Sequence, residues 1–332
     1  MKINFNPISF SQNINQKNYT NHTNKLERTP HKDCVSFSGK KPHQKTLKPN
    51  VQVAVDFSNE LIERTETKQL SFKDVSDIAA KYSNDITVLP MERLKEKTEA
   101  ADMYGAFFTT QIGDDFKPYE KSIYINLPKQ NSDKTEVMLF AMNTAHEFTH
   151  VKQIDTNKSF DFLKTISKGN PEYGKALACI GDAAFAAFDN QIQAHVVSST
   201  IRRYINPTEF LKYGCITPSE APITRQMLPL GMGVRSEKEM QQELRKIYDG
   251  MFTGLIQAIA QQRPEIIEAV PDNEDLDSLK KKIKSYIAIK AMDEREAYTT
   301  ESEVAKREMG TTKTLNIDAF PMFYDILAKA FE

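Results

Sequence analysis

The chain is poor in cysteine: Cys34, Cys179 and Cys215 are its only three, far apart and never in C-x-x-C spacing. That excludes a disulfide framework and a thiolate metal site, and leaves reduced thiols. An excess of one charge sign is also missing. The 332 residues carry a formal net charge of −1, which offers nothing to attract nucleic acid or a membrane surface. Residues 1–50 nevertheless hold nine Lys/Arg against two acidic residues, a net +7 that leaves about −8 for 51–332. A nucleic-acid partner is not expected for such a body. No apolar run is long enough to cross a bilayer, and the start has no apolar segment of the signal-peptide kind. Arg28 is the only arginine before residue 51, which argues against a transit peptide. A cytoplasmic protein without a membrane partner is expected. Glycine is sparse as well, and Gly231-Met-Gly233 lacks the third glycine and the preceding strand of a dinucleotide fingerprint.

What is present divides into a tail and a body. Residues 1–50 are rich in Asn, Ser, Thr and Lys and show no hydrophobic periodicity, so a disordered basic tail is expected. Ile8-Ser-Phe-Ser11 and Val35-Ser-Phe-Ser38 repeat a small pattern within it. The body starts near Val51, with a helix over about 54–64 and another capped at Ser71 by Ser-Phe-Lys-Asp. Ile86–Leu89, Tyr104–Gln111 and Ser122–Leu127 read as strands, and Gly113-Asp-Asp suggests that the last two form a hairpin. Beyond Asp155 the chain reads as helical: Tyr173–Tyr204, then about 236–262, 275–309 and 318–331. Four prolines make 206–235 an irregular loop. The expected class is α+β and mostly helical.

Between those strands and the later helices lies Thr144-Ala-His-Glu-Phe-Thr-His-Val-Lys-Gln-Ile-Asp155. His146, Glu147 and His150 form H-E-x-x-H. On a helix, residues four apart share a face, so both imidazoles can address one metal ion. Glu147 then stands beside them, able to act on a metal-bound water. No Pro or Gly interrupts the stretch from Thr135 to Ile154. Val137, Phe140, Ala141, Thr144, Phe148 and Val151 fall on one side of the wheel, with Leu139, Asn143, His146, His150 and Ile154 opposite. Such a helix packs its back into a core and holds its histidines toward a second enclosed space.

A zinc site of this kind needs a third protein ligand. In Asp293-Glu-Arg-Glu-Ala-Tyr298, Glu294 shares a largely apolar face with Ile283, Ile287, Ala291, Ala297, Tyr298, Glu301 and Ala305. A carboxylate is costly to bury there unless paired or metal-bound. Glu296 falls on the other side and reads as solvated. Glu172, Asp182, Asp189 and His195 remain rivals, and Glu301, two turns beyond Glu294, reads as meeting a lysine or water, with a supporting contact at the site the alternative.

With H-E-x-x-H and Glu294-x-Glu-Ala in hand, the sequence resembles the gluzincin group of zinc metallopeptidases. The resemblance implies His146, His150 and Glu294 as Zn2+ ligands, Glu147 as general base, and a protein or peptide as substrate. It also implies a zincin-like domain over 51–332: a small antiparallel sheet, the active-site helix, a large helical insertion at about 160–275 and C-terminal helices. Lys152, Tyr298 and the 144-residue separation of His150 from Glu294 depart from the group's pattern. An extended substrate would add to a sheet edge such as Gly105-Ala-Phe-Phe108. Tyr298, Tyr213 and His195 are of the right types to stabilise an oxyanion, and none is singled out. The competing class is a non-catalytic helical binding module on the same scaffold.

Overall fold

The computed structural model describes residues 47–95, 105–156, 158–204, 237–309 and 319–332, without the side chains of residues 95, 111, 135, 190, 191, 193–204, 309 and 319. The tail up to residue 46, with its Ser-Phe-Ser repeats, lies outside the described residues. So does the 206–235 loop with Tyr213, Cys215 and Gly231-Met-Gly233. The described chain is mostly helical with one three-stranded sheet.

Helix α1 (Pro49–Thr67) begins within the stretch expected to be tail, with proline at its first turn where no amide is needed. Helix α2 (Phe72–Ala79) starts on the expected capping box, Ser71 and Asp74 each accepting from the other's backbone. Strands β1 (Ile86–Pro90), β2 (Ala106–Ile112) and β3 (Pro118–Ile125) follow, with short helix α3 (Glu92–Lys95) after β1.

The sheet is mixed, which corrects the antiparallel expectation. Its order is β1-β3-β2, with β2 antiparallel and β1 parallel to β3. Two successive hairpins would need a tight turn after β1. The chain makes α3 there instead, and β1 and β2 lie on opposite edges with β3 between them. The β2–β3 turn is anchored by Phe116, a buried non-glycine residue at φ 62° whose ring fills the space over Gly174.

Helix α4 (Lys134–Asp155) carries the H-E-x-x-H segment and is capped by the Asp133 side chain, which accepts from the Glu136 amide at 2.9 Å. Its histidine side was expected to border an enclosed space, and the structure shows protein on both sides. Phe140, Phe148 and Val151 join α1, α2 and the sheet in one core, where Phe57 and Phe148 stack at 4.1 Å. Met138, Met142 and Ala145 meet Val304 and Ala305 of a later helix. Leu139 is a large apolar residue of α4 that stands clear of both, 41% exposed.

Helices α5 (Lys158–Ile166), α6 (Pro171–Tyr204), α7 (Glu237–Gln262), α8 (Pro264–Glu268), α9 (Leu276–Met309) and α10 (Ala319–Phe331) close over a second apolar core. Helix α9 runs antiparallel along α4: Ala145 packs near Val304, Thr149 hydrogen-bonds Thr300 at 2.8 Å, and Gln153 reaches Asp293. The junction of the two cores is therefore the α4–α9 seam. Among the described residues no helix is long and apolar enough to cross a membrane.

Helices α6 and α9 approach closely where Gly181 faces Tyr286: a Cβ at Gly181 would lie 2.3 Å from the Tyr286 ring. Alanine is the better helix former, yet overpacking of this buried ring costs about 1–3 kcal/mol. Gly181→Ala is expected to lower the urea midpoint despite its propensity gain; a raised midpoint would show that the seam has slack.

Candidate metal centre

One turn of α4 and the middle of α9 bring His146, His150 and Glu294 together. The His146 and His150 Nε2 atoms are 3.3 Å apart. The Glu294 carboxylate straddles them, with Oε2 at 3.4 Å from His146 Nε2 and Oε1 at 3.5 Å from His150 Nε2. A tetrahedral ion bound at 2.0–2.1 Å spaces its donors by about 3.3–3.4 Å, so these separations are those of a ligand set. All three residues are buried, at 2%, 6% and 5% exposure, which leaves water little room to act as the partner.

The far side of each ring strengthens the case. His150 Nδ1 lies 2.8 Å from Gln153 Oε1, an acceptor that calls for a proton on Nδ1. His146 Nδ1 lies 2.8 Å from Glu301 Oε1. That contact has the length of a hydrogen bond but a poor angle, and we read it as chiefly electrostatic. With protons drawn to both Nδ1 atoms, two Nε2 lone pairs and a carboxylate face one another without a donor between them. A cation relieves that arrangement, and the neutral His Nε2 and carboxylate are donors that zinc accepts.

Glu147 sits beside the triad at 3% exposure and accepts from the Phe108 amide of edge strand β2 at 3.0 Å. Burial pushes its carboxyl up, against the pull of His146, His150 and that amide. Burial also penalises charge on His146, but the Glu301 and Glu294 carboxylates outweigh it and hold its pKa well above the ordinary histidine value. His150 is likewise raised, burial being overcome mainly by Glu294. Glu294 itself is held far below the usual carboxylate range: burial opposes the shift, and the two imidazoles drive it.

The structure thus brings together every residue of the expected ligand set. The rivals do not join it. Asp182 accepts from the Tyr286 hydroxyl at 2.8 Å and Asp189 from that of Tyr324, while Glu172 pairs with Lys175 at 2.8 Å on the surface. His195 lies among the side chains outside the description. Glu301 corrects its sequence reading, since its carboxylate meets His146 rather than a lysine or water. Glu296 also departs from its solvated reading: it is 17% exposed and pairs with Lys48. Lys152 turns away from the centre to the Tyr82 carbonyl and Asp155. Tyr298 sets its ring at 78° to that of His146 with centroids 4.6 Å apart, and stacks on Tyr324. Gln153 and the Phe108 amide escaped the sequence reading. Gln153 had a signal, standing three residues after His150 on one helix face; a backbone amide has none.

Purified protein is expected to hold about one zinc per chain, lost in His146→Ala and in Glu294→Ala; zinc retained by Glu294→Ala would dismiss the third ligand. Protons compete for the same atoms, so zinc affinity should weaken as pH falls through the raised histidine values. In metal-free protein the folded histidine pKa values exceed the unfolded one. Their contribution to stability is therefore full below about 6.5 and lost as pH rises through the folded values. Buried Glu147, also raised, acts in the same direction. Chelator-treated protein should accordingly lose stability from pH 6 to 9 in urea titrations, while zinc-loaded protein should gain it.

Known protein families, curated proteins and solved structures were compared with this chain, and none matches it.

Proposed function

We propose that the chain is a zinc metallopeptidase of the gluzincin type, with His146, His150 and Glu294 as ligands and Glu147 as general base. The observation that carries this reading is the convergence of two imidazole lone pairs and a carboxylate with a second carboxylate beside them. A metal held there supplies Lewis acidity toward water and a peptide carbonyl. Glu147 provides the proton traffic: its raised pKa suits a group that takes a proton from water and delivers it to a leaving amine. The Phe108 amide, donating to Glu147 Oε2, helps hold the carboxylate in place.

The substrate class follows from the sheet. Strand β2 lies on an edge, and the backbone on the Phe108 side turns away from β3 toward α4. An extended peptide pairing along such an edge presents its carbonyls to Glu147 and the ligand set. The zincin-like arrangement expected from the sequence belongs to this proposal, supported by the order of sheet, H-E-x-x-H helix and glutamate helix.

The burial of all four residues favours a second reading. Structural zinc sites are closed, whereas catalytic ones keep a position open, and a metal joining α4 to α9 would hold a helical binding module together. Glu147→Gln separates the two. On the peptidase reading the variant keeps its zinc and loses about 10²-fold or more of its hydrolysis of a peptide pool followed by mass spectrometry. Equal turnover by wild type and variant would refute the general base. Zinc-loaded wild type without turnover would leave the closed structural site.

A further inference from the structure

The side-chain amide of Gln153 has only one satisfactory sense. Its Nε2 lies 2.8 Å from the Asp293 carbonyl oxygen and 3.2 Å from Glu296 Oε2. Both are acceptors, so the NH2 half must face them and Oε1 must face His150. The choice of tautomer at His150 is therefore made on α9, by a carbonyl and a carboxylate that dictate how Gln153 is turned. Glu296 is fixed in its own turn, since its other oxygen, Oε1, accepts from Lys48 Nζ at 2.7 Å. Lys48 is the residue just before α1, where the described fold begins.

We propose that Gln153 and Glu296 are positioning residues for His150, and that Lys48 extends this relay to the start of α1. Metal binding and ordering of the chain at Lys48 are then coupled. The proposal rests on the metal-centre reading and not on peptidase activity. Its logic is a chain of hydrogen bonds with one consistent direction. Lys48 donates to Glu296, Gln153 donates to Glu296 and to the Asp293 carbonyl, and His150 Nδ1 donates to Gln153. The His150 Nε2 lone pair is left facing Glu294 and His146. Coupling of this kind is reciprocal: whatever holds Lys48 in place strengthens metal binding, and bound metal steadies Lys48 by the same factor.

The links differ in strength. Partners that orient a metal-bound histidine are worth about 10–100-fold in metal affinity. Lys48 is half-exposed, and its contribution is that of a surface ion pair, about 2–5-fold.

The test measures Zn2+ affinity by competition with a chelating dye on the full chain and on Gln153→Leu, Glu296→Leu, Glu296→Gln and Lys48→Met. The 15N spectra of the histidines in metal-free protein, at a pH where the rings are neutral, give a second readout. Gln153→Leu and Glu296→Leu are expected to bind zinc about 10–100-fold more weakly and to lose the single Nδ1-protonated tautomer of His150. Glu296→Gln keeps an acceptor for Gln153 but gives up the charge that pairs with Lys48, and should lose about 2–5-fold, as Lys48→Met does. Lys48→Met should lose about 2–5-fold, and zinc should slow amide exchange at Leu47, Lys48 and Asn50 in wild type but not in this variant. Should Gln153→Leu prove unfolded by circular dichroism, the Glu296 pair carries the same comparison. Wild-type zinc affinity and an unchanged His150 tautomer in the leucine variants would overturn the proposal while leaving the metal centre standing. Equal losses in Glu296→Gln and Glu296→Leu would also overturn it. Wild type that binds no zinc removes the metal centre itself, and the relay with it.

Discussion

Three electron-pair donors facing one another in a dry interior form the constraint on which the rest of this structure depends. Left alone, the His146 and His150 Nε2 atoms and the Glu294 carboxylate repel, and burial removes the water that would ease the repulsion. Protons or a metal must compensate, and the surrounding contacts decide which form the pocket takes. Carboxylate or amide oxygens stand behind both rings, holding protons at Nδ1 and leaving Nε2 for a cation. The packing obeys the same demand. Helices α4 and α9 come close because Ala145, Thr149, Thr300 and Ala305 line their seam, and the Thr149–Thr300 bond fixes the offset between them.

The two apolar cores serve this seam from opposite sides. Phe57 stacked on Phe148 fixes α4 against the first, and Tyr286 over Gly181 seats α9 against the second. Neither core contains the site, and neither alone could hold its geometry. The Phe108 amide ties Glu147 to the sheet, linking the edge strand to the ligand helix. Tyr298 meets the His146 ring edge-on and is itself stacked on Tyr324, adding aromatic cover beside the ring.

Much of this was legible in the residues. H-E-x-x-H declares a local geometry because the helix period is fixed, and Glu294 declared itself as a charge on an apolar face. The capping box at Ser71 and the long helices after Asp155 are equally local signals, and the structure has them. Pairing across the sheet is not local. The strands were visible, but whether β1 lies parallel or antiparallel depends on the path of α3, which leaves no mark in the alternation pattern. Glu296 and Glu301 were misjudged for a related reason. A helical wheel says which side a residue faces, but not what stands there: Lys48 and Gln153 in one case, His146 in the other.

The 144-residue separation of His150 from Glu294 has a consequence in time as well as space. During synthesis both histidines emerge long before the glutamate, and a chain halted before α9 has two imidazoles and no third donor. The centre cannot assemble until α9 has been made and has found α4. Closing so large a loop is entropically costly. An ion held by all three donors would therefore be a late clasp, gained only by chains that have brought their two halves together.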